Sequence, residues 1–468
     1  MSTRRTSFLA ALVLGLLASC ARAHDHHDDE VMSEENLAKP IDTILWMHVL
    51  VQIIAWGFMF PIGMVLGLAK SKYHVPLQAT TFALTIGGYV LGHSHGGRAF
   101  PSTFHGVFAN ILVIFIITQL SLGIYLKLHI HEKTLRPYVV PFHSVIGKLW
   151  PVLGWTQMLL GAMTLRGYCM GGHTPQCLAH YIMGSAFIGY GILLAVAMYA
   201  GAAWLRRTGH SQEWFDSWVI FLWGIVNTFT EHRGSLTSWS HKDLQHTMLG
   251  VLWWTGGGLG IFLSRGGRRS VVPAVIIMMT GWAMSAHEQA MPISTKVHAI
   301  FGVVLGSAGL ARVVEICFVL GDKPTQSPNS TDESTGRRAL KSFQHFPPFL
   351  LVAGGLLFMS ATDEELEYVM SLEIDHVTYT LMMISLAFII YLYAVSLINL
   401  YFISGKNGSA GGAIAIGDAD STKGYQSVPP TPTRTKRPEY PGVMHDEEAY
   451  EMNGPSGHYA DEPPSPDR

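Results

Sequence analysis

Four histidines, His48, His74, His105 and His143, stand at or near the openings of four successive apolar stretches. An imidazole inside lipid is costly unless it is ligated, hydrogen-bonded or turned to a polar cavity, so these positions point to chemistry. Because consecutive stretches run in opposite directions, His48 and His105 fall at one membrane depth and His74 and His143 at the other. Two imidazoles from non-adjacent helices at one depth are what axial ligation of haem in a four-helix bundle requires. Filling both axial positions makes an electron carrier rather than an oxygen binder. Two such pairs predict two b-type haems, one above the other. The plainer reading is four histidines satisfied by backbone or glutamine partners.

A second group of histidines ends or opens the later stretches: His180, His232, His246, His287, His298 and His376. Glu231-His232 and His287-Glu288 close two stretches, while His246-x-x-x-Gly250 and His298-x-x-x-Gly302 open the ones that follow. His232, His246, His287 and His298 are therefore candidate metal ligands at one surface, set against the reading that interfacial histidines only anchor helices. The segment His24 to Glu30 mixes imidazoles and carboxylates and reads either as a weak chelator or as a solvated lead. Cys169 and Cys177 lie eight residues apart in one predicted extracytoplasmic loop, where oxidation would join them. Arg312 and Glu315 are one helical turn apart and predict an ion pair. Asp363, Glu364, Glu365 and Glu367 read as a solvated acidic loop.

The elements that must hold these groups are helices in a bilayer. Across 468 residues only 14% are charged and 49% are apolar, with mean hydropathy +0.27, which excludes a single water-soluble core. A formal net charge of -2 gives no basic excess, so no nucleic-acid partner is expected. Eleven apolar stretches are long enough to cross a membrane, at about 43–69, 77–92, 104–128, 143–165, 179–204, 215–231, 243–263, 271–289, 295–320, 346–362 and 376–403. Arg4, Arg5, the run Phe8–Leu17 and Ala21-Arg22-Ala23 form a secretory signal, against which Leu17-Ala18-Ser19-Cys20 offers a lipoprotein box. With a cleaved signal and an outer N-terminus, the inner segments before the tail hold fifteen Lys and Arg and the outer ones six, which satisfies the positive-inside rule. Asn329-Ser330-Thr331 then falls in the cytosol, and no glycan is expected there.

The fold class expected is all-α: a polytopic membrane bundle of about 11 transmembrane helices. Its parts are a signal peptide over 1–23, a His/Asp-rich extracytoplasmic segment over 24–40, a four-helix haem domain over 41–165, a seven-helix membrane domain over 166–403 and a disordered cytosolic tail over 404–468. The tail has too little apolar content to pack and carries Pro429-Pro430-Thr431-Pro432-Thr433, suiting it to bind cytosolic proteins.

Residues 45–165 resemble the cytochrome b-561 superfamily. The likeness rests on Met47-His48 with Ala55-Trp56-Gly57 and Pro61-Ile62-Gly63, on Tyr73-His74 with Gln78, on His105-Gly106 with Gln119 and Gly123, and on His143-x-x-x-Gly147 with Gly154 and Gly161. The resemblance implies His48 paired with His105 and His74 paired with His143. Ala109 stands where that family often has glycine, Pro76 interrupts the opening of the second helix, and no ascorbate-binding signature is evident. The whole layout resembles a fungal family of Ytp-type multi-pass integral membrane proteins.

The function expected is trans-membrane electron transfer through two bis-histidine haems b, a metal-reductase-like oxidoreductase activity, in a secretory-pathway membrane such as the plasma membrane, vacuole or endoplasmic reticulum. Lys70 and Lys72 would meet an anionic cytosolic donor such as ascorbate. His93, His95 and Arg98 would face a ferric or cupric chelate outside. The rival is a transporter or metal-handling membrane protein without haem. A third alternative is a structural or trafficking protein whose tail recruits partners.

Overall fold

A computed structural model describes residues 32–230, 239, 241–286, 289–320 and 341–408. The signal peptide, His24 to Glu30, His232, His287, the sequon at Asn329 and most of the tail lie outside the described residues. Among the described residues all regular structure is helical. The elements are α1 (Glu34–Ala38), α2 (Thr43–Leu68), α3 (His74–Ser94), α4 (Phe104–Lys127), α5 (Arg136–Arg166), α6 (Thr174–Tyr199), α7 (Ala202–Thr208), α8 (Gln212–Thr230), α9 (His241–Leu263), α10 (Val272–Ser285), α11 (Pro292–Val319), α12 (Phe346–Met359), α13 (Asp363–Ser371) and α14 (His376–Ile403). A helix thus occupies each of the eleven apolar stretches. Among the described residues six segments are long and apolar enough to cross a membrane on length and composition: α2, α4, α6, α11, α14 and α12 with its leading turn.

Proline explains where some boundaries move. The third helix of the chain opens at His74, not at 77, because Pro76 sits in the first turn, where its missing N–H is not needed. The expected opening of a helix at His143 is corrected too: α5 begins at Arg136, with Pro137 in its first turn, and encloses Pro141 and Pro151. His143 therefore lies two turns inside. Ala200-Gly201 ends α6 early and starts α7 as a separate short helix.

In the opening quartet α2 packs on α3, α4 on α5, and α5 on the middle of α2. An aromatic core fills the centre: Trp56 stacks on Trp150 with centroids 5.3 Å apart, and Phe60 meets both Phe82 and Trp150 edge to face. In the second half, α8 with α9, α10 with α11 and α6 with α12 form the closest pairs. Glycine makes them possible: a Cβ on Gly281 would meet Gly302 O at 2.5 Å, and one on Gly184 would meet Gly355 O at 2.6 Å. Close backbone approach through small residues is how helices gain packing contact when lipid removes the hydrophobic drive.

Two polar clamps tie the ends. Arg98 gives its guanidinium to the carbonyls of Leu37, Lys39 and Leu165, at 2.9 Å for Leu165. It is therefore a clamp between α1, the loop after α3 and the end of α5, which corrects its expected place in an outer docking patch. Asp42 caps α2 through Leu45 N and holds Gly96 N at 2.7 Å, and these two backbone bonds keep its carboxyl below the usual range. At the opposite end Arg312 bridges Glu315 at 2.6 Å, as its spacing suggests, but it also holds Glu213 at 2.8 Å, which Arg269 shares at 3.1 Å. Gln344 donates to Glu315 at 3.1 Å. Glu213 and Arg269 come from α8 and the loop before α10, so the wider network is invisible to local spacing.

Candidate functional site: two histidine pairs in the opening quartet

The quartet carries a repeated pattern. On α3 it is His74, Gln78, Gly88 and Gly92; on α4 His105, Ala109, Gln119 and Gly123; on α5 His143, Gly147, Gln157 and Gly161. Each set lies at offsets of 0, 4, 14 and 18. At about 100° per residue these offsets fall within about 40° of one line along the helix, so each helix presents its histidine at one end and a glycine at the other on a single face. On α2 the set is His48, Gln52, Gly63 and Gly67, at offsets 0, 4, 15 and 19. The one extra residue is taken up by a π-helical segment, Ile53–Met59, between Gln52 and Gly63. Regular spacing in three helices and a widened turn in the fourth keep all four faces in register.

Antiparallel packing then seats each histidine on its neighbour's glycine. A Cβ on Gly92 would lie 2.6 Å from His48 Nδ1, and one on Gly67 would lie 2.8 Å from His74 Nδ1. A Cβ on Gly161 would lie 3.1 Å from His105 Cε1, and one on Gly123 would lie 3.6 Å from His143 Cε1. Hydrogen bonds fix three of the rings: Nδ1 of His48 donates to Gly88 O and that of His74 to Gly63 O, both at 2.7 Å, and Nδ1 of His105 donates to Gln157 O at 3.2 Å. A carbonyl only accepts, so each of these three rings in its neutral form carries hydrogen on Nδ1 and a lone pair on Nε2. Nδ1 of His143 is buried with no partner among the described residues.

The pairs are those the sequence implied. His48 and His105 have ring centroids 6.2 Å apart at 89°, and His74 and His143 have theirs 6.4 Å apart at 83°. With metal–imidazole bonds of about 2.0–2.1 Å and ring centres about 1.1–1.2 Å behind the nitrogens, two imidazoles on opposite sides of one ion stand about 6.2–6.6 Å apart. Both pairs fall in that interval. The donor set, the glycine seats and the spacing therefore fit a haem iron at each level. Gln157 intrudes on one pair: its Nε2 lies 3.4 Å from His105 Nε2 while donating to His105 O at 3.1 Å. Gln52, Gln78, Gln119 and Gln157 each bury a side-chain oxygen that has no partner among the described residues. Along α3 the level of His74 and that of Gly88 are fourteen residues apart, about 21 Å, and the aromatic core fills the interval.

The second candidate set resolves differently. His298 stands against His180, with their Nε2 atoms 3.4 Å apart. His246 lies on α9 with its backbone carbonyl held by Asn227 at 3.1 Å. Among the described residues no group of three or more His, Cys, Asp or Glu is placed to hold one ion. Cys169 and Cys177 are joined in a disulfide, with Cα atoms 5.2 Å apart. Cys317 is free and exposed. The acidic stretch is helical: Thr362 caps α13, and Glu364 accepts from Cys169 N at 3.3 Å, which ties that helix to the disulfide loop. Lys70 and Lys72 are exposed at the His74 end, and Lys72 lies 5.2 Å over the Tyr73 ring.

Comparison with known proteins places the chain. Residues 153–402 match the family described as Protein YTP1-like, C-terminal, and residues 28–129 match a domain of unknown function, DUF2427. Protein YTP1 of Saccharomyces cerevisiae is 45% identical over 271 residues, covering 58% of this chain and 56% of that protein. An uncharacterized membrane protein of Schizosaccharomyces pombe, C3B8.06, is 26% identical over 458 residues, covering 70% of this chain and 88% of that protein. A second uncharacterized membrane protein of S. cerevisiae, YCR061W, is 28% identical over 244 residues, covering 41% of this chain and 37% of that protein. The chain spans little more than half the length of the YTP1 protein it matches. No solved structure matches. The chain belongs to the YTP1-like family, and two of the relatives it resembles are named as membrane proteins.

Proposed function

We propose that this YTP1-like protein moves electrons across a membrane of the secretory pathway through two b-type haems, one held by His48 and His105 and the other by His74 and His143. The observation that carries the reading is the matched spacing of the two pairs, 6.2 and 6.4 Å between ring centroids, each ring seated on a glycine of the neighbouring helix. The quartet would be cytochrome b-561-like. Eleven spans, a cleaved signal, an outer N-terminus and a cytosolic C-terminus complete the arrangement. Bound haem would supply a one-electron iron couple at each level.

The chain's own groups do the rest. The carbonyls of Gly88, Gly63 and Gln157 take the Nδ1 hydrogens of His48, His74 and His105, which fixes tautomer and ring direction and raises ligand basicity. Trp56, Phe60, Phe82 and Trp150 exclude water from the space between the levels. Lys70 and Lys72 give the His74 end a positive rim for an anionic donor of the ascorbate class. His93 and His95 stand at the far end, on the side of a ferric or cupric chelate acceptor.

The test is a reduced-minus-oxidised spectrum of the purified full-length protein, where a b-type signal of two haems per chain is expected. His48→Ala and His74→Ala should each remove about half of it, and the double variant all of it. A protein without haem from haem-replete cells, or single variants that keep the full signal, would overturn the reading.

A further inference from the structure

The last long helix of the second half grips the one helix of the quartet whose turn is widened. The Tyr393 hydroxyl on α14 donates to Phe58 O on α2 at 3.1 Å, and the two rings meet with centroids 5.2 Å apart at 61°. Just past the end of α14, Lys406 N donates to Ala69 O at 3.0 Å, and a Cβ on Gly405 would collide with that same carbonyl. The two grips are separated by about 17 Å of α2. Between them lie Gly63, whose carbonyl takes the Nδ1 hydrogen of His74, and Gly67, on which the ring of His74 sits.

The first grip falls within the π-helical segment Ile53–Met59. A π turn is one residue wider than an α turn, and where it returns to α spacing the helix's own N–H groups pass over one carbonyl. Pro61, which has no N–H, withholds a further donor just beyond it. A carbonyl passed over in lipid must take its hydrogen from another element, and the Tyr393 hydroxyl brings one to this stretch. The widened turn is also what carries Gly63 and Gly67 round to His74. A group that holds the turn therefore holds the His74 seat.

The opposite side of α14 belongs to the second half. Tyr391 stands about 200° round the helix from Tyr393 and shares one apolar core with residues of α6 and α12. Its hydroxyl lies 3.1 Å from His345 Nδ1, and His345 Nε2 lies 2.8 Å from the Tyr199 hydroxyl. Both nitrogens of one imidazole thus tie α14 to the end of α6 and the start of α12. We infer that α14 couples the second half to the His74–His143 level, with Tyr393 as a positioning residue that keeps the π turn of α2 in register. This gives the seven-helix half a part in the proposed electron transfer and rests on that reading for its electrochemical consequence. A turn that relaxes draws Gly63 O away from His74 Nδ1, leaves the ligand less basic and favours the reduced iron.

The experiment compares the full-length parent in detergent with Tyr393→Phe and Tyr379→Phe. Tyr393→Phe keeps a ring against Phe58 and removes only the hydroxyl. Tyr379→Phe removes an equivalent bond on the same helix, to Ser360 O at 2.9 Å, so a general loosening of α14 would show in both. In a redox titration Tyr393→Phe should keep both haems and raise the potential of one component alone, the one that His74→Ala removes. The expected change is about threefold in its reduction equilibrium, about 30 mV for a one-electron couple, with Tyr379→Phe at the parent's values. Hydrogen exchange gives a readout independent of haem: amides from Met59 to Gly67 should exchange about threefold faster in Tyr393→Phe and at the parent's rate in Tyr379→Phe. If the parent carries no haem, the electron-transfer reading falls and exchange alone decides the coupling. Unchanged exchange in α2, equal effects from the two variants, or a haem-loaded Tyr393→Phe whose potentials match the parent's or shift together overturns the inference.

Discussion

Replacing Gly92 by Ala puts the seat of His48 to a direct test. The new Cβ would lie 2.6 Å from Nδ1 and 2.7 Å from Cε1 of the imidazole, where ordinary contact begins at 3.4 Å. The ring must retreat by about 0.8 Å, and retreat lengthens the 2.7 Å bond to Gly88 O past the hydrogen-bond range. A metal–nitrogen bond tolerates about 0.2 Å, so the displacement is about four times what axial ligation allows. Two effects on stability oppose each other. Alanine gains up to about 1 kcal/mol over glycine in a helix, and overpacking costs about 1–3 kcal/mol. The obstructing group is a side chain free to swing, so the fold should survive while the pair does not. The reduced-minus-oxidised spectrum of G92A should therefore fall to about half, with the His74–His143 component intact. Gly123→Ala is the control, because its Cβ would sit 3.6 Å from His143 Cε1 in ordinary contact, and both components should remain. Equal spectra for the two variants would refute the seating argument.

Further outcomes follow from other parts of the structure. Cys169→Ser with Cys177→Ser opens a link across eight residues, worth about 2–3 kcal/mol in chain entropy. The expected drop in thermal midpoint should match that of the parent under reductant. Arg312→Leu leaves Glu213 and Glu315 buried beside a lost partner and should destabilise by about 3–5 kcal/mol, read as lost folded yield, with Glu213→Gln milder. Deleting Ile54 from the widened turn of α2 should restore offsets of 14 and 18 and keep both haem components, whereas inserting one alanine there should turn Gly63 and Gly67 away from His74 by about 100° and remove the His74–His143 component. Asp375 caps α14 through Val377 N and Thr378 N, and Thr378 holds its carboxyl below the usual range. A depressed folded pKa stabilises above the unfolded value and is lost as pH falls through the folded one. Hydrogen exchange in the first turn of α14 should therefore quicken below pH about 4 in the parent, and at neutral pH in Asp375→Ala.

Much of the fold was legible because apolar length in lipid leaves the chain few choices: each of the eleven expected stretches holds a helix. The ends were harder. Pro76 suggested an interruption and instead sits harmlessly in a first turn, while Pro141 and Pro151 lie inside a helix that runs past them. The pairing of His48 with His105 and of His74 with His143 followed from alternating direction and family likeness. The glycine seats could have been found as well, since offsets of 0, 4, 14 and 18 recur on three helices. The extra residue of α2 hid the fourth copy, and a π-helical turn leaves no plain mark in apolar periodicity. The partner of His298 was missed for a different reason. His180 and His298 are 118 residues apart, and their meeting depends on how α6, α11 and α12 pack.

Spacing and packing, more than residue type, separate the three histidine pairs. Each is two half-buried or buried imidazoles from different helices, with rings nearly perpendicular. In the quartet the neighbour at each ring is a glycine, which leaves room and lets the ring stand back to 6.2 or 6.4 Å from its mate. At His180 the neighbour is Phe358, and the rings close to 5.7 Å with nitrogens at 3.4 Å. An imidazole pair in a membrane bundle is therefore best read from what its helices place behind and beside it, because that sets how far apart the two rings are held.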